Sequence, residues 1–328
     1  MKKRYIACVA AIVVGIILVS WGTAHKGIKP VTWDRTTNRL VVLKKVRHTT
    51  KLADFDRLVV NTKLPVVVKP GSVNQVTVQQ QAANRRRHPV TTQVHDGTLT
   101  VSGGDQRQRG VTLNGLAITG DDEAFDTDGA ITITVPQSDQ LKVLTLQKSW
   151  TVRLEDLTVQ RVTGRTGGNF QAKNVTFKQA LDLSQGDADI YLTNVMAPKV
   201  TAKTSYGDIQ VRQSQFKSTA NVLNSLDGDI TLEMTELGGG DLRTSDGDIT
   251  VRDNQVAKTL TVQSYEGDLS GMVPATAGVS VQGSTDSDIE LFGRSRGATA
   301  RVRPHAKVQY RFITGDDGDI TCVSFHRT

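Results

Sequence analysis

Tyr206-Gly207-Asp208-Ile209, Asp227-Gly228-Asp229-Ile230, Asp246-Gly247-Asp248-Ile249, Glu266-Gly267-Asp268-Leu269 and Asp286-Ser287-Asp288-Ile289 are five occurrences of one phrase. With the polar residue ahead of the large apolar one as marker, the series reaches back to Asn169 and Asp189, and its successive differences are 20, 19, 21, 19, 20 and 20. A period held over that many intervals is the signature of a repeat architecture. Behind each phrase the apolar residues alternate, as in Ile209-Gln210-Val211, Ile230-Thr231-Leu232, Ile249-Thr250-Val251 and Ile289-Glu290-Leu291. That pattern turns one face of a strand inward and leaves the other wet. The glycine reads as the turn residue, free to take positive φ. Five residues before it stand Leu181, Ala202, Leu223, Leu242 and Val262 in successive units, the inward row of a second strand.

Two short strands and two turns per unit cannot bury a core alone. Stacked coil upon coil at about 4.8 Å, they can. Parallel crossovers are right-handed. The expectation is an all-β, right-handed parallel β-helix, a β-solenoid with about 20 residues per coil, in which Ile209, Ile230, Ile249, Leu269 and Ile289 form one inward row. Leucine-rich repeats would need a dense Leu framework and an Asn ladder, and neither is present. Calcium-binding Gly/Asp repeats have a period of about nine. The Thr/Val alternation and the recurring Gly exclude long helical repeats.

The chain has 328 residues, 38% hydrophobic, with a formal charge of +7. That allows a large core in one or two domains. The charge is mild for a nucleic-acid binder and comes with no helix-turn-helix, zinc-finger or aromatic RNA-binding signature, so no nucleic acid is expected. Lys2-Lys3-Arg4 precedes residues 5–24, which carry no charge. As a helix of about 30 Å that run spans a bilayer core, with the basic cluster cytoplasmic and everything after residue 24 outside. The alternative is a secretory signal cleaved near Ala24, since Gly22-Thr23-Ala24 are small. An uncleaved anchor is favoured because no clean Ala-x-Ala is present.

The only cysteines are Cys8 and Cys322, one in the apolar segment and one in the exported body, so no intramolecular disulfide is expected. Cys322 falls on an inward strand position and reads as a small buried hydrophobe. The six His form no spaced ligand pair.

In order, the chain reads as an anchor (1–24), a polar, basic juxtamembrane stalk (25–50), a β flank (51–140), regular repeats (141–291) and a C-terminal coil and cap (292–328). In the flank, strands at 65–68, 76–78, 99–101 and 131–135 are separated by Pro70-Gly71, Asp96-Gly97 and Asp128-Gly129. Its last strand is expected to cover the first coil, and residues 84–88 and 102–110 read as exposed loops. After Asp288 the next such phrase is Gly318-Asp319-Ile320, 31 residues on. Either the last coil carries an insertion or a distinct cap occupies 292–317, covering an open sheet edge.

Phe55-Asp56-x-Leu58-x-Val60-Asn61, Val67-x-x-Pro70-Gly71, Asp96-Gly97-x-Leu99, Ile131-x-Ile133-x-Val135-Pro136 and the Gly-Asp-Ile units resemble the bacterial putative-adhesin family of β-strand-repeat proteins, an exported domain of unknown function. The resemblance covers residues from about 52 to the C-terminus. It implies a parallel β-helical ectodomain, often behind one membrane segment, at the cell envelope, and it supplies no catalytic residues. Ser287 in place of Gly, Gly186-Asp187-Ala188-Asp189 and the long last interval depart from the pattern.

Asp208, Asp229, Asp248, Asp268 and Asp288 should stack on one edge. At about 4.8 Å, neighbouring charges repel by about 0.9 kcal/mol in water and about 3.5 kcal/mol at an effective dielectric of 20. In the preferred reading each carboxylate accepts backbone N–H bonds in its own turn. The alternatives are weak cation binding, with Asp227, Asp246, Glu266 and Asp286 adding oxygens, and a glycan-cleaving carboxylate pair. A regular outward ladder gives its acids similar surroundings, which argues against the last. Tyr206 and Tyr265 both follow a turn Ser and read as turn packing, with a sugar platform as the alternative.

Arg294, Arg296, Arg301, Arg303, Lys307 and Arg311 lie in a stretch without an acid. They read either as a solvated cap or as a patch for anionic envelope polymers or lipid headgroups. Arg301 and Arg303 are expected to share one wet face. The functional expectation is a non-enzymatic, membrane-anchored surface binding module, adhesin-like and without a cofactor. The alternatives are an envelope-stress component acting through a membrane signalling partner and, third, a polysaccharide-active enzyme.

Overall fold

A computed structural model describes residues 31–34, 39–42, 44–82, 90–104, 112–114, 117–119, 129–316 and 318–325. The chain divides into two units: His48–Val78, His88–Asp105 and Ala130–Thr328 form the larger, and Met1–Arg47, Gln79–Arg87 and Gln106–Gly129 the smaller.

The larger unit is a solenoid-like stack of parallel strands. A representative coil runs along Val200–Lys203, turns through Tyr206-Gly207-Asp208, continues as Ile209–Arg212, bends, and continues as Gln215–Phe216. Such a coil has three strand segments rather than the expected two, whereas Phe170–Phe177 and Ile190–Ala197 run through the same corner as single strands and keep the expected two. The added corner sits at Gln213, with φ 52°, and at Asp156, Asn174, Asn194, Met234 and Asp253, with φ between 49° and 55°. A left-handed residue there breaks the alternation, so that Ser214 and Phe216 turn inward and are buried. Asn and Asp tolerate this conformation best, and Asn174 and Asn194 also ladder, the amide of Asn194 donating to Oδ1 of Asn174 at 2.9 Å.

Register fixes the core. Ile209 pairs with Ile230, Ile230 with Ile249, and Ile249 with Leu269. On the opposite face Ala202, Leu223, Leu242 and Val262 stack in the same way. All of these are buried, and each large apolar side chain contributes roughly 1.5–3 kcal/mol. Leu181 leaves the expected row: it pairs with Val200, and Leu183 is the partner of Ala202. The count ahead of the turn slipped because Gly186 is not the equivalent of Gly207. Ala188 is, its carbonyl lying 2.2 Å from where a Cβ on Gly207 would stand.

Both ends of the stack are interlocked. Gln309–Ile313 inserts between Thr259–Gln263 and Gly278–Gln282, and Ile320–Phe325 inserts between Leu269–Pro274 and Ile289–Leu291. Ile289 therefore pairs with Ile320, not with Leu269, and the inward row ends Leu269–Ile320–Ile289. Residues 292–308 supply two antiparallel strands, Ser295–Arg296 on Ile289–Leu291 and Thr299–Val302 on Gly278–Gln282. The long last interval is thus the excursion that lets the chain return one layer inside its own end.

The other end repeats the device. Arg57–Thr62 lies between Thr98–Gly103 and Val143–Ser149, and Val66–Pro70 lies between Ala130–Val135 and Val152–Glu155. The flank's last strand, at 130–135, does not cover the first coil as expected; Val66–Pro70 comes between them. Val90–His95 adds an antiparallel strand to Thr98–Gly103. Antiparallel strands at the ends shield open parallel edges from further pairing.

The smaller unit contains an antiparallel sheet in the order Ala117–Thr119, Thr112–Asn114, Val31–Asp34, Arg39–Val42. Part of the expected stalk is therefore strand, because Val31-Thr32-Trp33 and Leu40-Val41-Val42 are strong strand formers. The segments expected as a membrane anchor (1–24) and as an exposed loop at 84–88 lie outside the described residues, as does 105–110 of the loop expected at 102–110; residues 102–103 of that loop instead end the strand Thr98–Gly103, and Gly104 is buried. Among the described residues no helix is long and apolar enough to cross a membrane.

Candidate functional site: the Gly-Asp edge and the basic C-terminal end

The repeated phrase forms one edge of the stack, and its glycines serve a different purpose from the one expected. Gly207, Gly228, Gly247 and Gly267 do not have positive φ. A Cβ on Gly228 would stand 2.1 Å from the carbonyl oxygen of Gly207, on Gly247 2.3 Å from that of Gly228, and on Gly267 2.0 Å from that of Gly247. Close approach of one coil's backbone to the next excludes a side chain.

Three residues earlier a buried hydroxyl closes each turn. Ser225 Oγ accepts the N–H of Gly228 at 2.9 Å and donates to the carbonyl of Gly207 at 3.0 Å. Thr204, Thr244 and Ser264 make the equivalent bonds.

The aspartates stack as expected, but their hydrogen bonds cross between coils instead of closing their own turns. Oδ1 of Asp189 accepts the N–H of Asp208 at 3.0 Å, Asp208 that of Asp229 at 3.0 Å, Asp229 that of Asp248 at 2.9 Å, and Asp248 that of Asp268 at 2.8 Å. Asp268 then accepts from Asp319, and Asp319 from Asp288. A backbone dipole aimed at each accepting carboxylate, from Asp189 to Asp319, offsets the repulsion along the row. At the start of the ladder Asp189 takes bonds from the Asn169 amide at 3.1 Å and the Tyr191 hydroxyl at 2.9 Å. Burial, followed by that bond, pushes the Tyr191 phenol up to about 12. Among the described residues no three acids, His or Cys converge to hold a metal ion.

Beside the ladder runs a second acidic row. The N–H groups of Asp227, Asp246 and Glu266 donate to the carbonyls of Ser205, Leu226 and Ser245 at 2.9, 3.2 and 2.8 Å, so the three hold equivalent places in successive coils. Their side chains are exposed and have no ion pair or hydrogen bond among the described residues. Tyr206 belongs to this row, whereas Tyr265 belongs to the row of Leu226 and Ser245, one position earlier. The sequence matched the two tyrosines by the Ser before each, but Ser205 is not the closing hydroxyl; Thr204 is. The Tyr265 hydroxyl donates to Asp316 at 3.0 Å, and that bond raises its pKa.

The basic residues divide. Ser280 pairs with Arg301 on one side and with Arg311 on the other, so these two share an outward face. Arg303 departs from it: the strand ends at Val302 and Arg303 takes φ 49°, turning the chain away. Arg294 and Arg296 belong to the hairpin on the other sheet, and Lys307 lies in the loop before Gln309. All six are exposed and form no ion pair among the described residues. Cys322 is buried, and burial pushes its thiol up to about 12.

These features define a parallel β-strand stack with hydroxyl-closed Gly-Asp turns and interlocked ends. The chain belongs to the Toastrack DUF4097 family, whose pattern matches residues 55–322. Among solved structures it is similar to a putative adhesin from Bacteroides fragilis, with 13% identity over 85% of this chain and 97% of that one and a TM-score of 0.43. A putative lipid binding protein from Parabacteroides distasonis shows 11% identity over 85% and 97%, with a TM-score of 0.48. No curated protein matches the chain.

Proposed function

We propose that the protein is a non-enzymatic, exported binding module, anchored by residues 1–24 with its N-terminus cytoplasmic, whose docking surface is the basic C-terminal end. One observation carries this reading. Arg294, Arg296, Arg301, Arg303, Lys307 and Arg311 are all exposed, without ion pairs among the described residues, on a scaffold held by hydrogen bonds from coil to coil. A guanidinium left unpaired on a rigid strand is preorganised for a carboxylate or phosphate, which it grips as a bidentate fork. The partner fitting that chemistry is an anionic envelope polymer.

Purified protein is passed over immobilised anionic wall polymer beside an Arg301→Glu/Arg311→Glu variant. The parent is retained at low salt and released as salt rises, and the variant is not retained. Equal retention of both removes this assignment. Protease added to intact protoplasts tests the anchor: a membrane-protected N-terminal fragment is expected, whereas a mature chain starting at His25 would show a cleaved signal.

A further inference from the structure

We propose that a second copy of this chain is itself an anionic partner for the basic end, with Arg301 and Arg311 of one molecule docking on Asp227 and Glu266 of another. The inference rests on the reading of the basic end as a docking surface and names a partner for it.

The two rows have the same spacing for a structural reason. Arg301 and Arg311 flank Ser280, so they stand two strand spacings apart, about 10 Å. Asp227 and Glu266 flank Asp246 in successive coils, so they too stand two spacings apart, about 10 Å. Both rows run along the stacking direction, because strand spacing and coil spacing are the same quantity in this fold. Two molecules side by side with parallel axes bring the pairs into register together.

The neighbouring row, one position earlier, carries apolar surface. Leu226 is 48% exposed and Tyr265 53% exposed, and Ser245 lies between them in the same row. The result is an exposed apolar strip, small at its centre, beside three carboxylates. It accepts the methylene stem of an arginine while its head reaches the acids. Tyr265 donates to Asp316 and lies against Gly315, and a cation over its face gains further attraction.

End-on stacking is not the route, since antiparallel strands cover Ile289–Leu291 and Gly278–Gln282. The acids lie on the turn edge and the arginines on the flat sheet face near one end, so the contact joins two different surfaces. Each molecule then offers one of each, and association propagates into staggered rows instead of closing as a dimer.

Charge reversal tests this on the full chain in non-ionic detergent, by sedimentation velocity over a concentration series. The parent self-associates at low salt and dissociates above physiological salt. Arg301→Glu/Arg311→Glu and Asp227→Lys/Glu266→Lys each weaken association at least about tenfold, near 1.4 kcal/mol. The chain carrying all four reversals associates again, because the pairs are restored with opposite sign at unchanged net charge. Thermal melts confirm that each variant folds. A parent that stays monomeric at low salt, or a fourfold reversal that fails to restore association, overturns the proposal. Retention on anionic polymer separates the two readings: Asp227→Lys/Glu266→Lys keeps polymer binding and loses self-association. A parent held by the polymer through its arginines but never self-associating sinks only this inference.

Discussion

The carboxylate of Asp268 accepts its hydrogen bond from the main-chain N–H of Asp319, at 2.9 Å, across 51 residues of sequence. Asp288, the next member of the periodic series, is displaced one layer outward and donates to Asp319 at 2.8 Å. In a sequential solenoid the last coil can fray without disturbing the one before. Here the outermost parallel layer, Gly278–Gln282 and Ile289–Leu291, rests on strands that follow it in sequence.

Deletion of residues 307–328 should therefore remove more than an end. The inner strands are lost, and Leu269 and Val262, buried against Ile320 and Phe312, are uncovered. Hydrogen exchange on the truncated chain is expected to show fast amides throughout 278–291 as well. Protection of 278–291 equal to that of the parent would mean that the outer layer can redock directly on 259–274.

The glycine column gives a sharper test. Gly228→Ala places a methyl carbon 2.1 Å from the Gly207 carbonyl oxygen, and the coils must part or the turn must move. A loss of about 1–3 kcal/mol is expected, as for overpacking, read from denaturant unfolding. Gly186→Ala is the control, since nothing lies within 4 Å of its added carbon, and it should unfold like the parent.

Much of this was legible in the sequence, and what was not has a physical cause. Period and alternation revealed the parallel stack, because inward Ile209, Ile230 and Ile249 must recur at the coil length. The left-handed corner was hidden by residues such as Gln213 and Met234, although Asp156, Asn174, Asn194 and Asp253 at the same position were a readable signal. The glycines were visible, but close approach and positive φ leave the same mark in a sequence. Interlocking could not be read, since Ile289 and Ile320 are equally good neighbours for Leu269 and only pairing chooses. The ladder was found with the wrong donors, because an Asx turn and a bond between coils use the same residue type. Arg301 and Arg303 are both exposed as expected, but they do not share one face, since the strand ends between them.

The closing hydroxyls predict a polar cost. Ser225 is 1% exposed, and Ser225→Ala leaves the N–H of Gly228 and one lone pair of the Gly207 carbonyl without this partner in a dry site. The expected loss is about 1–3 kcal/mol. Ser225→Thr should recover most of it, because Thr204 and Thr244 serve in the same place. If the alanine variant melts with the parent, the hydroxyl is dispensable.

The last prediction concerns alkali. Cys322, in register with Gly271, lies within 3.2 Å of where a Cβ on that glycine would stand, and its thiol rises from an ordinary 9.0 to about 12 through burial. Tyr191 rises from 10.0 to about 12 through burial and its bond to Asp189. Both are acids whose neutral form the fold favours, so the unfolded chain gives up these protons first. Between about pH 9 and 12 the unfolded state binds fewer protons, and stability falls as pH rises. The contribution is fully present below the unfolded values and is lost as pH passes upward through the folded ones. In a Cys8→Ser background, iodoacetamide at pH 9 should leave folded Cys322 unmodified and label it on addition of denaturant. Cys322→Ala should flatten the part of the decline that begins near pH 9, and Tyr191→Phe the part that begins near pH 10. Rapid labelling of the folded protein at pH 9 would show that the strand Ile320–Phe325 opens, and that the inserted layer is not the lock its register implies.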